Sequence, residues 1–348
     1  MKKRLVLLAI GGLAAGLAVP ALAADSLTVV SWGGAYQDSV RKAFFEPFMK
    51  ETGDKIVEEE FNGEIAKQRA MVESGNVTWD VVENDAQAVL AGCAEGILEK
   101  IDWDKLGMKR DQFISADASE CVVPSILYGT VFAYDKTKFK EAPQTIKDFF
   151  DIEKFPGKRG LEKRPFVNLE WALVADGVDV KEVYNVLGTP EGVDRAFKKL
   201  DSIKGNVVWW EAGAQPPQLL ADGQVTMSSA WNGRIYKAIN EDKKPFAIMW
   251  DHAALDWQGW TIVKGSKKVD LAYKFMAFAG RPDRQADQTN YISYGPGNKE
   301  AIANTNPKIK PDLPTNPDNM KTGFIVNAQF WADNGDSLRE RFSVWLNK

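Results

Sequence analysis

The chain has one histidine, His252, in 348 residues. That count excludes Ser-His-Asp and Cys-His nucleophile systems and any zinc cluster built on histidines. Cysteine is almost as scarce, at two residues, Cys93 and Cys121. No G-x-G-x-x-G or Walker pattern occurs, so the usual phosphate-cradling loops are missing and no cofactor or metal is expected. Positive charge is not in excess: 44 Lys and Arg stand against 48 Asp and Glu, for a formal charge of -4. The charges are dispersed, which makes nucleic acid a poor candidate partner. After the first 23 residues no run is long and apolar enough to span a bilayer. No internal repeat or low-complexity segment is seen. Carboxylates are plentiful, but no spacing singles out a pair. A secreted carboxylate-dependent hydrolase is therefore a remote alternative, and the chain is read as a non-enzyme.

The start of the chain is informative. Met1-Lys2-Lys3-Arg4 is a basic segment, Leu5 to Val19 is apolar, and Pro20-Ala21-Leu22-Ala23 ends in small residues. This pattern predicts a secretory signal peptide over 1–23, cleaved after Ala23. The mature protein is then expected in the periplasm, and its charge becomes -7 without Lys2, Lys3 and Arg4. In that oxidising compartment an even cysteine count favours a Cys93–Cys121 disulfide, worth about 3 kcal/mol in the chain-entropy model. Two free buried thiols are the alternative.

About 325 mature residues, 45% hydrophobic and 26% charged, suit a globular protein of two lobes. Leu27 to Trp32 reads as a buried strand, Gly33-Gly34 as a turn, and Ala35 to Met49 as an amphipathic helix. Strands at 55–57 and 79–83 alternate with helices at 65–74 and 86–95. The βαβαβα order implies a mostly parallel sheet. Val122 to Asp135 is a long apolar run suited to a strand crossing between lobes. Asp251 to Gln258 reads as a polar loop, and Gly259 to Val263 as a second crossing strand. Residues 304–319 read as an exposed loop and 328–346 as a closing helix.

The 12 tryptophans are the compositional outlier. Most serve a core, but indoles also make flat ligand contacts. Ser229-Ala230-Trp231-Asn232-Gly233-Arg234 follows a strand and precedes a helix, the place where open α/β domains present ligand-binding side chains. Trp231 offers an apolar face, and Arg234 a fork of donors suited to a carboxylate. Trp32-Gly33-Gly34 is either a tight turn or a set of helix N-terminal amides facing an anion, with Trp32 beside it. Asp85, beyond the third strand, could reach a cleft or cap a helix. Arg164 either belongs to a solvated basic face or lines the cleft. Trp210, at the end of a short strand, joins the candidate aromatic set.

Four segments carry a family resemblance: Ser31-Trp32-Gly33-Gly34-Ala35-Tyr36, Trp79-Asp80-Val81-Val82, Ser229-Ala230-Trp231-Asn232-Gly233, and Ser293-Tyr294-Gly295-Pro296-Gly297-Asn298. In this order they resemble the periplasmic spermidine/putrescine-binding family of ABC-transporter solute receptors, across essentially the whole mature chain. The resemblance implies a type II two-lobed fold that closes on its ligand by a hinge. The lobes are then 24–128 with 256–298, and 129–255 with 299–348. It also implies an inner-membrane permease as partner and a monomeric receptor. In that family rings box the ligand's methylene chain and carboxylates take its ammonium ends. Trp32, Trp231 and Tyr294 match the aromatic positions. Two acidic positions fall instead on Arg164 and Val167, another falls on or beside Asp256, Trp257 and Gln258, and Arg234 is added. A buried unpaired cation beside a polyamine would cost several kcal/mol. The departures therefore favour a small amino acid with separated charges, such as γ-aminobutyrate. Arg234, with Arg164, would hold its carboxylate, and Asp256 or Asp85 its ammonium. A polyamine ligand is the alternative, with Arg234 in an internal salt bridge.

Overall fold

The structure is a computed structural model and describes residues 26–63 and 65–348. The expected signal peptide and its cleavage site lie outside the described residues. Among those residues ten strands form one mixed sheet: β1 Ser26–Ser31, β2 Lys55–Glu60, β3 Val81–Asp85, β4 Val123–Asp135, β5 Arg159–Glu162, β6 Val207–Trp210, β7 Met227–Trp231, β8 Phe246–Ile262, β9 Gly295–Pro296 and β10 Phe324–Ile325. Their order is β2-β1-β3-β8-β4-β7-β5-β6, with β10 on β8 and β9 on β4.

The pairing directions locate the site. β1 lies parallel to β2 and β3, and β5 lies parallel to β6 and β7. Between these triplets run β4 and β8, antiparallel to each other and to their outer neighbours β7 and β3. The two triplets thus run in opposite senses. β3 ends with Asp85 opposite Gln258, which itself faces Ile126. β7 ends with Trp231 opposite Thr130. The carboxyl ends of both triplets therefore point at each other across four residues of β4, about 13 Å at strand rise. Carboxyl ends of parallel strands are where such sheets bind ligands.

Each triplet has its own core. Val29, Phe44, Phe48, Trp260, Phe275 and Met276 belong to one cluster, and Phe132, Phe149, Trp171, Leu173, Phe197 and Trp331 to another. The helix Pro190–Asp201 shows how such cores form. Val193, Ala196, Phe197 and Leu200 recur at helical spacing and are buried, while the Thr189 side chain accepts from Gly192 N at the start. Cys93 and Cys121 form a disulfide, so both sulfurs are committed.

Three expectations need correction. The polar loop expected at 251–258 belongs to β8, a single 17-residue strand. Its polar residues Asp256 and Gln258 are two apart and face the cleft, while Trp257 packs on the other side with Ala86 and Val89. Only a bulge survives of the loop: the β4–β8 register jumps from Thr130↔Ala254 to Phe132↔Met249. A second shift lies between Pro124 and Ile126 and displaces Ser125. The helix expected at 35–49 is continuous in direction but has a π turn at Arg41–Phe45 between Gly34–Val40 and Glu46–Thr52. The loop expected at 304–319 buries Thr305, Ile309 and Leu313, so it is packed in part.

Candidate ligand-binding site

A cavity lies where the two triplets meet. Trp32, Tyr36, Tyr128, Trp231 and Tyr294 give it aromatic walls, and Ile126, Arg234 and Gln258 complete the lining. It holds about 260 Å³ of empty space, part of it open to solvent. The rings meet edge to face. Trp32 and Trp231 are 5.5 Å apart at 83°, and Tyr36 and Tyr294 are 5.5 Å apart at 63°.

Local sequence sets each ring. Trp231 ends β7, and the helix Asn232–Asn240 begins immediately. Asn232 accepts from Gly129 N at 3.0 Å and donates to Ser293 O at 2.7 Å. One amide thus ties this helix start to β4 and to the turn that carries Tyr294. Gly233 is required next to it: a Cβ there would lie 2.7 Å from Tyr294 Cζ. Trp32 donates from Nε1 to Glu83 O at 2.8 Å. Gly33 and Gly34 follow with φ of 65° and 55°, a conformation glycine adopts without cost. Trp210 is fully buried and does not line the cavity. It backs Trp231 at 5.7 Å and donates to Ser229 Oγ.

Arg234 lies in the first turn of its helix, buried, with its guanidinium 5.0 Å from the Trp231 ring. Nη1 donates to Gly33 O at 2.9 Å and Nη2 to Trp32 O at 2.8 Å. These bonds use the Trp32-Gly33 turn as a carbonyl acceptor and fix the arginine across the meeting of the triplets. Burial lowers the Arg234 pKa, against the pull of Tyr294 and Tyr36. Three buried donors around the cavity, Arg234 Nε, Trp231 Nε1 and Gln258 Nε2, make no well-aligned hydrogen bond among the described residues, although the Gln258 amide lies beside Glu83 and Tyr36 and the Arg234 guanidinium beside Tyr294. Native interiors leave few such groups, and each costs about 1–3 kcal/mol. A wall of unanswered donors matches a ligand that brings acceptors.

Beyond Tyr128 the chemistry is acidic. Tyr128 Oη donates to Asp256 Oδ2 at 3.2 Å, and Trp257 N donates to Asp256 Oδ1 at 2.8 Å. Among the described residues Asp256 forms no salt bridge, and the Arg164 charge reaches it only weakly. Burial, followed by the charge of Asp85, raises its pKa well above the usual carboxylate range. Asp85 does cap a helix, accepting from Ala88 N at 3.1 Å, and it also meets Arg164 Nη1 at 3.5 Å. Arg164 Nε lies 2.8 Å from Glu162 Oε1. Arg164 is therefore committed to carboxylates, and of the two arginines only Arg234 stands on the cavity wall.

Sequence reading missed Tyr36, Ile126 and Tyr128 on the wall and Glu83 behind it, and it weighed Gln258 only as a neighbour of the favoured Asp256. Glu83 is fully buried and accepts from Ser31 Oγ, Tyr36 Oη and Ser125 Oγ at 2.9, 2.6 and 2.6 Å. Burial raises its pKa and the three hydroxyls oppose that shift. A signal existed for Gln258 and Tyr128: each lies two residues from another polar or aromatic position on a long strand.

Comparison with known proteins places this geometry. The "Gamma-aminobutyric acid-binding protein" of Pseudomonas aeruginosa is 46% identical over 333 residues, covering 95% of this chain and 94% of the relative. A "Spermidine/putrescine-binding periplasmic protein" of Salmonella typhimurium is 24% identical over 354 residues, covering 95% and 94%. The solved structure of a GABA receptor superposes with a TM-score of 0.81 at 33% identity, covering 92% of this chain and 98% of that one, and shares its two-lobed α/β fold. No helix among the described residues is long and apolar enough to cross a membrane. Residues 43–317 match the family described as bacterial extracellular solute-binding protein, and with that match and these relatives the chain belongs to that family.

Proposed function

We propose that the protein captures a short ω-amino acid such as γ-aminobutyrate in this cavity and delivers it to an ABC permease in the inner membrane. One observation carries the reading: unanswered donors of Arg234, Trp231 and Gln258 line an aromatic cavity, and Asp256, without a salt bridge among the described residues, stands behind Tyr128. A carboxylate would satisfy the donors, and an ammonium would supply the charge Asp256 lacks. Trp32, Trp231 and Tyr294 would enclose the methylene chain, with Trp210 backing Trp231 and Gly33 holding Arg234 in place. Asp85 would add negative potential at the ammonium end.

A diamine fits less well, because its second ammonium would be buried near Arg234 at a cost of several kcal/mol. The identity of 46% to a γ-aminobutyrate-binding protein against 24% to a polyamine-binding one supports the same choice. The protein is read as a receptor rather than an enzyme, monomeric and periplasmic after signal cleavage. Its lobes are 24–128 with 256–298 and 129–255 with 299–348, hinged at β4 and β8. Calorimetric titration of residues 24–348 tests the reading. γ-Aminobutyrate should bind with micromolar or better affinity, about −8 kcal/mol. Binding of putrescine or spermidine alone would refute it.

A further inference from the structure

Arg164 sits where two carboxylates converge. Its Nε is 2.8 Å from Glu162 Oε1 and its Nη1 is 3.5 Å from Asp85 Oδ2. Its guanidinium also covers the Phe166 ring at 4.7 Å. The main chain around it is pinned, since Asn168 Nδ2 donates to both Glu162 O and Arg164 O at 2.7 Å. Asp85 and Glu162 are buried, and Arg164 is only 17% exposed. On one side Arg164 approaches the cavity wall: a Cβ on Gly63 would lie 2.8 Å from Trp32 Cη2 and 3.9 Å from Arg164 Nη1. On the other side a groove with about 1040 Å³ of empty space, much of it open to solvent, is lined by Gln87, Glu162, Lys163, Arg164 and Glu211 among others.

Counting charges shows what this does. Three carboxylates, Asp85, Glu162 and Asp256, cluster with one cation among the described residues, Arg164. The cation lies on Asp85 and Glu162, and Asp256 is left over. We infer that Arg164 is a specificity-determining residue, a built-in counter-ion filling the cation subsite between Asp85 and Glu162 so that the acidic end accepts one ammonium and no more. The inference rests on the ω-amino acid reading above. Without the guanidinium, a diamine could place one end on Asp256 and the other between Asp85 and Glu162, away from Arg234. The same vacancy would connect the cavity to the groove and admit longer amines.

The test is calorimetry of γ-aminobutyrate and putrescine on the wild type, Arg164→Ala and Arg164→Lys, with circular dichroism to confirm folding. Arg164→Gln stands in if the alanine variant does not fold. In Arg164→Ala the preference for γ-aminobutyrate over putrescine should fall at least about tenfold, as expected when a desolvated charge is removed. Added guanidinium ion at millimolar concentration should restore much of that preference in the variant and leave the wild type unchanged. Arg164→Lys should retain more of it than Arg164→Ala. An unchanged preference in a folded Arg164→Ala protein, or no rescue by guanidinium, would overturn the assignment of Arg164 alone. A wild type that binds no ω-amino acid would overturn both this inference and the reading beneath it.

Discussion

Arg234 Nη2 lies 2.8 Å from the carbonyl oxygen of Trp32, a residue 202 positions earlier in the chain. The bond joins the helix after β7 to the turn after β1, so one side chain closes the cleft and lines it. Arg234→Ala should weaken γ-aminobutyrate binding at least about 100-fold, the scale for losing one partner of a buried charged contact. The fold should survive, at a cost of about 1–3 kcal/mol for each of the two carbonyls left without a donor. Calorimetry and denaturant unfolding read the two effects separately.

Binding should depend on pH through Asp256. Its pKa is raised by burial and by Asp85, with Tyr128 and Arg164 also facing it. Below that raised value the carboxyl is protonated and cannot pair with an ammonium. Affinity should therefore climb as pH rises through the Asp256 titration, by up to about tenfold per unit, and then level off. Asp256→Asn should bind weakly and lose this rise. Titrations from acid through alkaline pH check the slope.

Glu170 gives a second pH effect, on stability. It is fully buried, and its Oε1 accepts from Trp331 Nε1 at 2.6 Å and Tyr184 Oη at 3.0 Å. Burial pushes its pKa up to about 7. The folded state then holds this proton more tightly than the unfolded chain, where glutamate titrates near its ordinary value. Stability from this group is complete below the unfolded pKa and is lost as pH rises to about 7, by ~3 kcal/mol in all. Glu170→Gln should flatten that part of the stability curve and melt higher than wild type at alkaline pH.

The Cys93–Cys121 bridge closes a separation of 28 residues. Reduction, or paired replacement by serine, should lower stability by about 3–4 kcal/mol if chain entropy dominates. Ligand affinity should change little, because neither cysteine lines the cavity. Melting with and without reductant checks the first statement, and titration of the reduced protein the second.

Much of this architecture was legible in the chain. Strand, glycine turn and helix from Leu27 to Met49 could be read from periodicity, as could the crossing run that became β4. Trp32, Trp231 and Arg234 stood out by their places at strand ends and turns, Tyr294 through the family resemblance alone, and all four line the cavity. What could not be read were contacts made by register. Gln258 meets Ile126, and Tyr128 meets Asp256, only because β4 and β8 pair as they do. Their polar residues resemble a loop until the partner strand is known. Glu83 was hidden for a related reason: its hydroxyl partners come from two distant stretches, Ser31 and Tyr36 from 31–36 and Ser125 from β4.

The two slips in the β4–β8 ladder, at Pro124/Ile126 and at Thr130/Phe132, bracket the stretch between the opposed triplets. Rungs already missing there need not be broken when the molecule bends. Like card scored along a line, the sheet would yield at that crease first, and everything on either side could swing as a stiff panel.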